Sequence, residues 1–114
     1  NKLLIKVVGQ TSTAIFNKNV IQNSGFFDEN QRYSEDANLW MRISKNNKMI
    51  ILNEVLVLTD NDYGNTGLSS NLIEMENGVR KNIKEMYSLE RINFLKYIFF
   101  SFISYLKYLR RSYL

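Results

Sequence analysis

The sequence has no cysteine and no histidine, and these two absences exclude several kinds of site at once. Without cysteine the chain forms no disulfide and offers no thiolate to a metal; without histidine it lacks the commonest metal ligand and general base. Any chemistry must therefore come from carboxylates or from Lys, Tyr, Ser and Thr side chains. The 114 residues allow one domain with a modest core. Because an apolar segment follows directly on Asn1, we expect the chain to be part of a longer protein.

Acidic side chains are absent from the last part of the chain. Residues 91–114 contain five Lys or Arg and no Asp or Glu, whereas residues 1–90 contain ten basic and eleven acidic side chains. The net charge of +4 therefore belongs to the tail, and nucleic-acid binding by the rest of the chain is not predicted. There is no secretory signal and no apolar run that could cross a bilayer, so we expect a cytoplasmic protein.

Short apolar runs alternate with helical patterns, and this alternation predicts an α/β fold of short strands and helices. The strand-like runs are residues 3–8, 13–16, 49–52 and 55–58. The helical patterns are residues 18–24, 35–45 and 72–87, the first and last of them opened by the capping residues Asn17 and Asn71. Residues 59–70 form a loop of a dozen residues that is rich in Asp, Asn, Gly and Ser.

A last helix is predicted from residue 90 to residue 114, where aromatic and aliphatic side chains leave only a narrow polar stripe. Its longest uncharged run is the ten residues 97–106, half of the roughly 20 that span a membrane. A helix this apolar needs a partner surface, and two alternatives are open. Residues 92–114 lie in the headgroup region of an anionic bilayer, or the helix packs on the rest of a longer protein or on a second copy. We therefore separate a body, residues 1–88, from a tail, residues 89–114.

Residues 25–42, GFFDENQRYSEDANLWMR, combine acidic side chains with the start of a helix. If Ser34 caps that helix, Asp36 lies three, four and seven residues before Leu39, Trp40 and Ile43 and shares their inward face. The helix dipole favours the charged carboxylate in the first turn, where it is available to accept a proton from a hydroxyl. The alternative is that Glu35 and Asp36 only complement the dipole.

The same stretch carries a two-part pattern. G-x-F-D-E begins at Gly25, and after a spacer of five residues E-D-x-x-L-W-x-R runs from Glu35 to Arg42. This pattern resembles the C-terminal signature of family 2 glycosyltransferases with the GT-A fold. The flanking TSTAIFNK and NEVLVL agree with the order of that family, so the resemblance covers roughly residues 10–90. It implies that residues 1–88 are the acceptor-side half of a GT-A-like domain, followed by two C-terminal helices.

The resemblance also implies an activity and a site. The chain would belong to an inverting glycosyltransferase that moves a sugar from a nucleotide sugar to a glycan or lipid-linked acceptor in surface polysaccharide synthesis. Asp36 matches the family's catalytic base. Glu35, Trp40 and Arg42 would contribute to substrate binding, with Trp40 either in the core or in the pocket wall and Arg42 paired with a carboxylate.

The nucleotide-binding half of that family, with its metal-binding D-x-D, should lie upstream of Gly25, and nothing upstream here matches it. Asp60 and Asp62 come after the base motif, in the wrong order, so no metal ligand is assigned in this chain. A divalent cation, Mg or Mn, is expected for the full-length enzyme, with ligands mostly outside this stretch, and we expect the chain alone to be inactive. The competing hypothesis is a non-catalytic interaction module, docked through its tail on the cytoplasmic membrane face or on another copy.

Overall fold

In the computed structural model, residues 2–7, 9–58 and 67–113 are described, and every element within these ranges is helical. Five α-helices follow one another along the described chain, with short 3₁₀ turns at Thr11–Thr13 and Leu68–Ser70. The helices are α1 (Lys2–Ile5), α2 (Lys18–Ser24), α3 (Glu35–Ile43), α4 (Leu72–Ser88) and α5 (Phe94–Tyr113). The predicted loop at residues 59–70 lies largely outside the described residues, as do Asp60 and Asp62.

The prediction of an α/β fold is wrong, because the described ranges contain no strand and no sheet. Residues 2–5 form α1 instead of the predicted strand; a short apolar run does not by itself distinguish the two structures. Residues 48–58 make no backbone hydrogen bond to another described residue, and Ile50 and Leu58 are 81% and 90% exposed. A strand is stabilised only when a neighbour pairs its backbone and its side chains are covered, so β propensity alone does not produce one here.

The helix predictions are confirmed, and their first turns follow from local capping chemistry. The side chain of Asn17 accepts a hydrogen bond from the Asn19 N–H at the start of α2, and that of Asn71 accepts one from Glu74 at the start of α4. α3 begins at Glu35 as predicted, but the Ser34 side chain makes no capping hydrogen bond. Ser34 instead adopts a left-handed conformation with φ of 56°, which is uncommon for a residue other than glycine.

α3 lies at the centre of the fold because it contributes to two apolar clusters. On one side Ala37 and Met41 pack with residues of α1, α4 and α5 and with Ile92 of the turn before α5; on the other, Leu39, Trp40 and Ile43 pack with Ile21 of α2. Six of the nine residues of α3 are buried, so this short helix is stabilised by burial rather than by its own propensity.

Gly78 explains how α4 approaches the segment before α3. A Cβ at this position would lie 2.9 Å from the carbonyl carbon of Tyr33 and 3.2 Å from its Cβ. Glycine in a helix costs roughly 1 kcal/mol relative to alanine, and here it permits a contact between the backbone of residue 33 and the helix. The close approach places the loop before α3 directly on α4.

α5 packs against α4 and α1, and it begins after Asn93, whose side chain accepts a hydrogen bond from the Lys96 N–H at 3.0 Å. The Ser104 hydroxyl donates to Glu76 Oε2 of α4 at 2.6 Å. The Lys107 ammonium donates to the carbonyl of Ile5. No helix among the described residues combines the length and the apolar character needed to cross a membrane.

Candidate functional site

The two halves of the sequence pattern are joined by Arg42. Its Nη1 and Nη2 atoms donate to the carbonyls of Ser24 and Phe26, each at 2.5 Å, and its Nε donates to Asn38 Oδ1 at 2.8 Å. Gly25 lies between the two carbonyls with φ of 80°, and a Cβ there would come within 2.9 Å of Arg42 Nη1. The glycine that opens the pattern and the arginine that closes it are therefore parts of one contact.

The partners of Arg42 differ from the sequence-based expectation. We expected a carboxylate, but the Arg42 guanidinium donates to two carbonyls and an amide, and the ion pair found among the described residues joins Lys81 to Asp28. A guanidinium with five donors in a rigid fork suits several oxygens at once. Arg42 thus fixes the loop after α2 to α3 and has few donors left for a ligand.

A network of buried polar side chains joins α4 to the start of α3. Asn82 of α4 is fully buried; its Nδ2 donates to the carbonyl of Ser34 at 2.9 Å, and its Oδ1 accepts from Gln31 Nε2 at 2.8 Å and from Asn38 Nδ2 at 3.2 Å. Asn38 Nδ2 also donates to Glu85 Oε2 at 2.7 Å. Gln31 Oε1 has no partner among the described residues, but the other amide groups named here are bonded to one another, and such bonds favour one arrangement over others. The network therefore fixes the backbone that leads into the first turn of α3.

Asp36 lies in that first turn and is half-buried. Its Oδ1 accepts a hydrogen bond from the N–H of Ala37 at 2.6 Å, and its Oδ2 has no hydrogen-bond partner among the described residues. Glu35 beside it is also half-buried and has no ion pair or side-chain hydrogen bond within the described part of the chain. In this first turn Asp36 Oδ1 is bonded to a backbone N–H of the helix terminus. Asp36 Oδ2 and the carboxylate of Glu35 are able to accept a hydrogen bond from another molecule.

The predicted site residues are divided between two sides of α3. Trp40 is 3% exposed and packs in the cluster with α2, its ring centroid 6.0 Å from that of Phe16. Arg42 is six residues after Asp36, which at about 100° per residue places the two on different sides of the helix. The structure brings Arg42 together with Gly25 and Asn38, and it leaves Asp36 and Glu35 nearly two turns away along α3.

A shallow cleft of about 400 Å³ opens beside Arg42, with Gly25, Phe26, Asp28, Asn38, Arg42 and Glu85 around it. The ion pair between Asp28 Oδ2 and Lys81 Nζ, 2.8 Å long, lies at this cleft. The hydrogen bond from Lys81, followed by that from the N–H of Asn30, lowers the pKa of Asp28 below its usual 3.8. Most polar groups of the cleft are bonded to each other, so the cleft serves chiefly to hold the loop in place.

Sequence reasoning did not identify Gln31, Asn38, Asn82 and Glu85 as parts of the site. One signal was present: Asn82 falls three residues after Val79 and four before Met86, inside the apolar stripe of α4. A polar residue in such a stripe needs a buried hydrogen-bond partner. That partner could not be named, because Gln31 is 51 residues away in the chain.

The residues described do not bring together three acidic side chains that could hold a metal ion. Residues 2–7, 9–58 and 67–113 therefore contain no such ligand set for the divalent cation that is expected for a full-length enzyme. No protein-family model, curated protein or solved structure matches this chain.

Proposed function

We propose that this chain is the acceptor-side part of an inverting glycosyltransferase and that Asp36 is its general base. The observation that supports the proposal is the physical coupling of the pattern. Gly25 and Arg42 form one contact, and the same loop leads through the Asn82 network into the turn that holds Asp36. The GT-A architecture is not part of the proposal, because the described chain has no sheet.

The chemistry assigned to Asp36 needs a positioned carboxylate with a free oxygen. Asp36 Oδ2 accepts the proton of an acceptor hydroxyl, whose oxygen attacks the anomeric carbon of a nucleotide sugar. The bond from that carbon to the nucleoside diphosphate breaks, the diphosphate leaves with the electron pair, and the configuration is inverted. The hydrogen bond from Ala37 and the network beneath the turn hold the carboxylate in place, as catalysis by a fixed base requires.

The test is Asp36→Asn in the full-length protein that carries this chain. Turnover is measured as nucleoside diphosphate released from UDP-glucose, UDP-galactose and UDP-N-acetylglucosamine, with a lipid extract as the source of acceptor. Loss of the base should lower kcat by about 10²–10⁴-fold. The chain of 114 residues alone should give no turnover, because the donor-binding half is expected upstream.

Glu74→Gln is the matched control, because Glu74 is an acidic residue in the first turn of α4. Both substitutions remove a first-turn carboxylate that stabilises its helix by about 0.3–1 kcal/mol, so both should shift the melting temperature equally. Glu74→Gln should keep kcat within about twofold, since a surface substitution changes little beyond the dipole interaction. Unchanged kcat in a folded Asp36→Asn protein would refute the proposal and favour the competing hypothesis of a non-catalytic interaction module.

A further inference from the structure

α5 leaves a long apolar face uncovered. Only Phe100 and Ser104 are buried along its 20 residues. The exposed apolar side chains recur at the three- and four-residue spacing of one helix face. They are Phe94, Leu95, Ile98, Phe99, Phe102, Tyr105, Leu106 and Tyr113, between 44% and 83% exposed. We call these residues the outer face.

The outer face points away from the protein core. A helix turns by about 100° per residue, so Leu95, Phe102 and Leu106 cluster together on the side nearly opposite Phe100 and Ser104. Phe100 packs in the core with α1, α3 and α4, and Ser104 donates its hydrogen bond to Glu76 of α4. α5 is therefore attached to the fold by one face, and its most hydrophobic face remains exposed to water.

Basic side chains lie along one edge of the outer face. Lys96 and Arg110 are both exposed and fall within about 40° of each other around the helix. Arg111, also exposed, lies about 100° further round the helix, on the side of Phe100 and Ser104, and is not part of this edge. Lys107 is used in packing, since it donates to the carbonyl of Ile5. Residues 91–113 contain no acidic side chain that could neutralise these charges.

The charges decide between the occupants that could cover this face. An antiparallel pair of α5 helices packed through their outer faces would bring Arg110 of one copy against Lys96 of the other. Like charges would meet in that pair, and in a parallel pair the basic edge would face no acidic side chain, because α5 contains no Asp or Glu. An anionic bilayer provides the opposite: apolar chains for the aromatic and aliphatic side chains, and phosphate-bearing headgroups for the basic edge.

We infer that the outer face of α5 docks this protein on an anionic lipid surface, with the helix lying in the plane of the interface. Phe99, Phe102 and Leu106 enter the boundary between headgroups and acyl chains, and Lys96 and Arg110 contact the headgroups. The inference does not depend on the proposed enzymatic activity, because it uses only the exposure and charge of α5.

The experiment is flotation of the 114-residue chain with two kinds of vesicle: phosphatidylcholine alone, and equal parts of phosphatidylcholine and phosphatidylglycerol. The chain should float with the second kind and much less with the first, and added salt should reduce its binding. Phe102→Ser removes apolar contact from the outer face and should lower the partition coefficient about tenfold. Arg110→Glu should lower it at least about fivefold for the anionic vesicles.

Two matched controls distinguish docking through α5 from nonspecific binding of the chain to vesicles. Ile50→Ser changes a side chain that is 81% exposed but lies outside α5, and Lys45→Glu reverses an exposed charge just after α3; both should leave binding within about twofold, as expected for surface positions outside the contact. Equal flotation with both kinds of vesicle, or an equal loss from Ile50→Ser and Phe102→Ser, would overturn the inference. So would a dimer in sedimentation velocity that Phe102→Ser dissociates, because the face would then bind a second copy.

Discussion

α4 and α5 are amphipathic helices of similar length, 17 and 20 residues, yet they differ in which of their faces is buried. Among the buried residues of α4 are Gly78 and Asn82, which face a hydrogen-bonded loop, whereas α5 buries little beyond Phe100 and leaves its most apolar face exposed. The difference shows that amphipathicity does not tell which face of a helix is covered. In α4 polar groups and close packing fix a single arrangement, and in α5 apolar area is left for another surface.

The largest expected effect is the loss of the buried aromatic side chain that attaches α5 to the core. Phe100 is 4% exposed, and Phe100→Ala should lower the free energy of unfolding by about 3–5 kcal/mol. Phe102→Ala, two residues further on the outer face, should change it by less than about 0.5 kcal/mol. Urea unfolding followed by circular dichroism measures both. Similar values for the two would mean that α5 does not have the inner and outer faces described here.

The second effect concerns the polar face of α4. Asn82→Leu removes one hydrogen bond from each of three groups: the carbonyl of Ser34 and the side-chain amides of Gln31 and Asn38. Each of these groups keeps another hydrogen bond, so the expected cost is that of three lost bonds, roughly 2–4 kcal/mol at about 0.5–1.5 kcal/mol each, in the same unfolding measurement. The control is the same substitution at Asn77, an exposed position on α4, which should be neutral or slightly stabilising because leucine has the higher helix propensity. Equal destabilisation at both positions would contradict the network.

The smallest effect concerns the edge of α4, where Lys81 pairs with Asp28. Their side chains are 46% and 32% exposed, so Lys81→Met should lower the free energy of unfolding by no more than about 0.5 kcal/mol at neutral pH. The lowered pKa of Asp28 stabilises the folded state above its usual 3.8, and this contribution disappears as the pH falls through the lowered value. The variant and the native protein should therefore become equally stable in acid. Lys84→Met, on the same helix without an ion pair among the described residues, should show no such pH dependence.

Features determined by neighbouring residues could be predicted from the sequence. Asn17 and Asn71 cap the helices that follow them because an Asn side chain reaches the first free N–H groups. The periodicity of α4 and α5 is also local, so both helices begin within a few residues of where the pattern placed them.

Features determined by distant residues could not be predicted. The interpretation of residues 49–52 and 55–58 as strands failed because a strand depends on a partner elsewhere in space. The network around Asn82 joins residues 44 to 51 positions apart. Asp36 was placed in the first turn of α3 by local signals, whereas its support from α4 through Ser34 was not visible in the sequence.

The exposed residues 48–58 also have a consequence for the behaviour of the chain at high concentration. Apolar segments of five to seven residues with high β propensity and low charge are typical starting points for aggregation. Asn53 and Glu54 divide this run into two segments of four residues, MIIL and VLVL, and each is shorter than the five to seven residues of a typical aggregation segment. A charged residue in such a run acts as a gatekeeper, so we expect Glu54 to reduce assembly of the chain through residues 48–58.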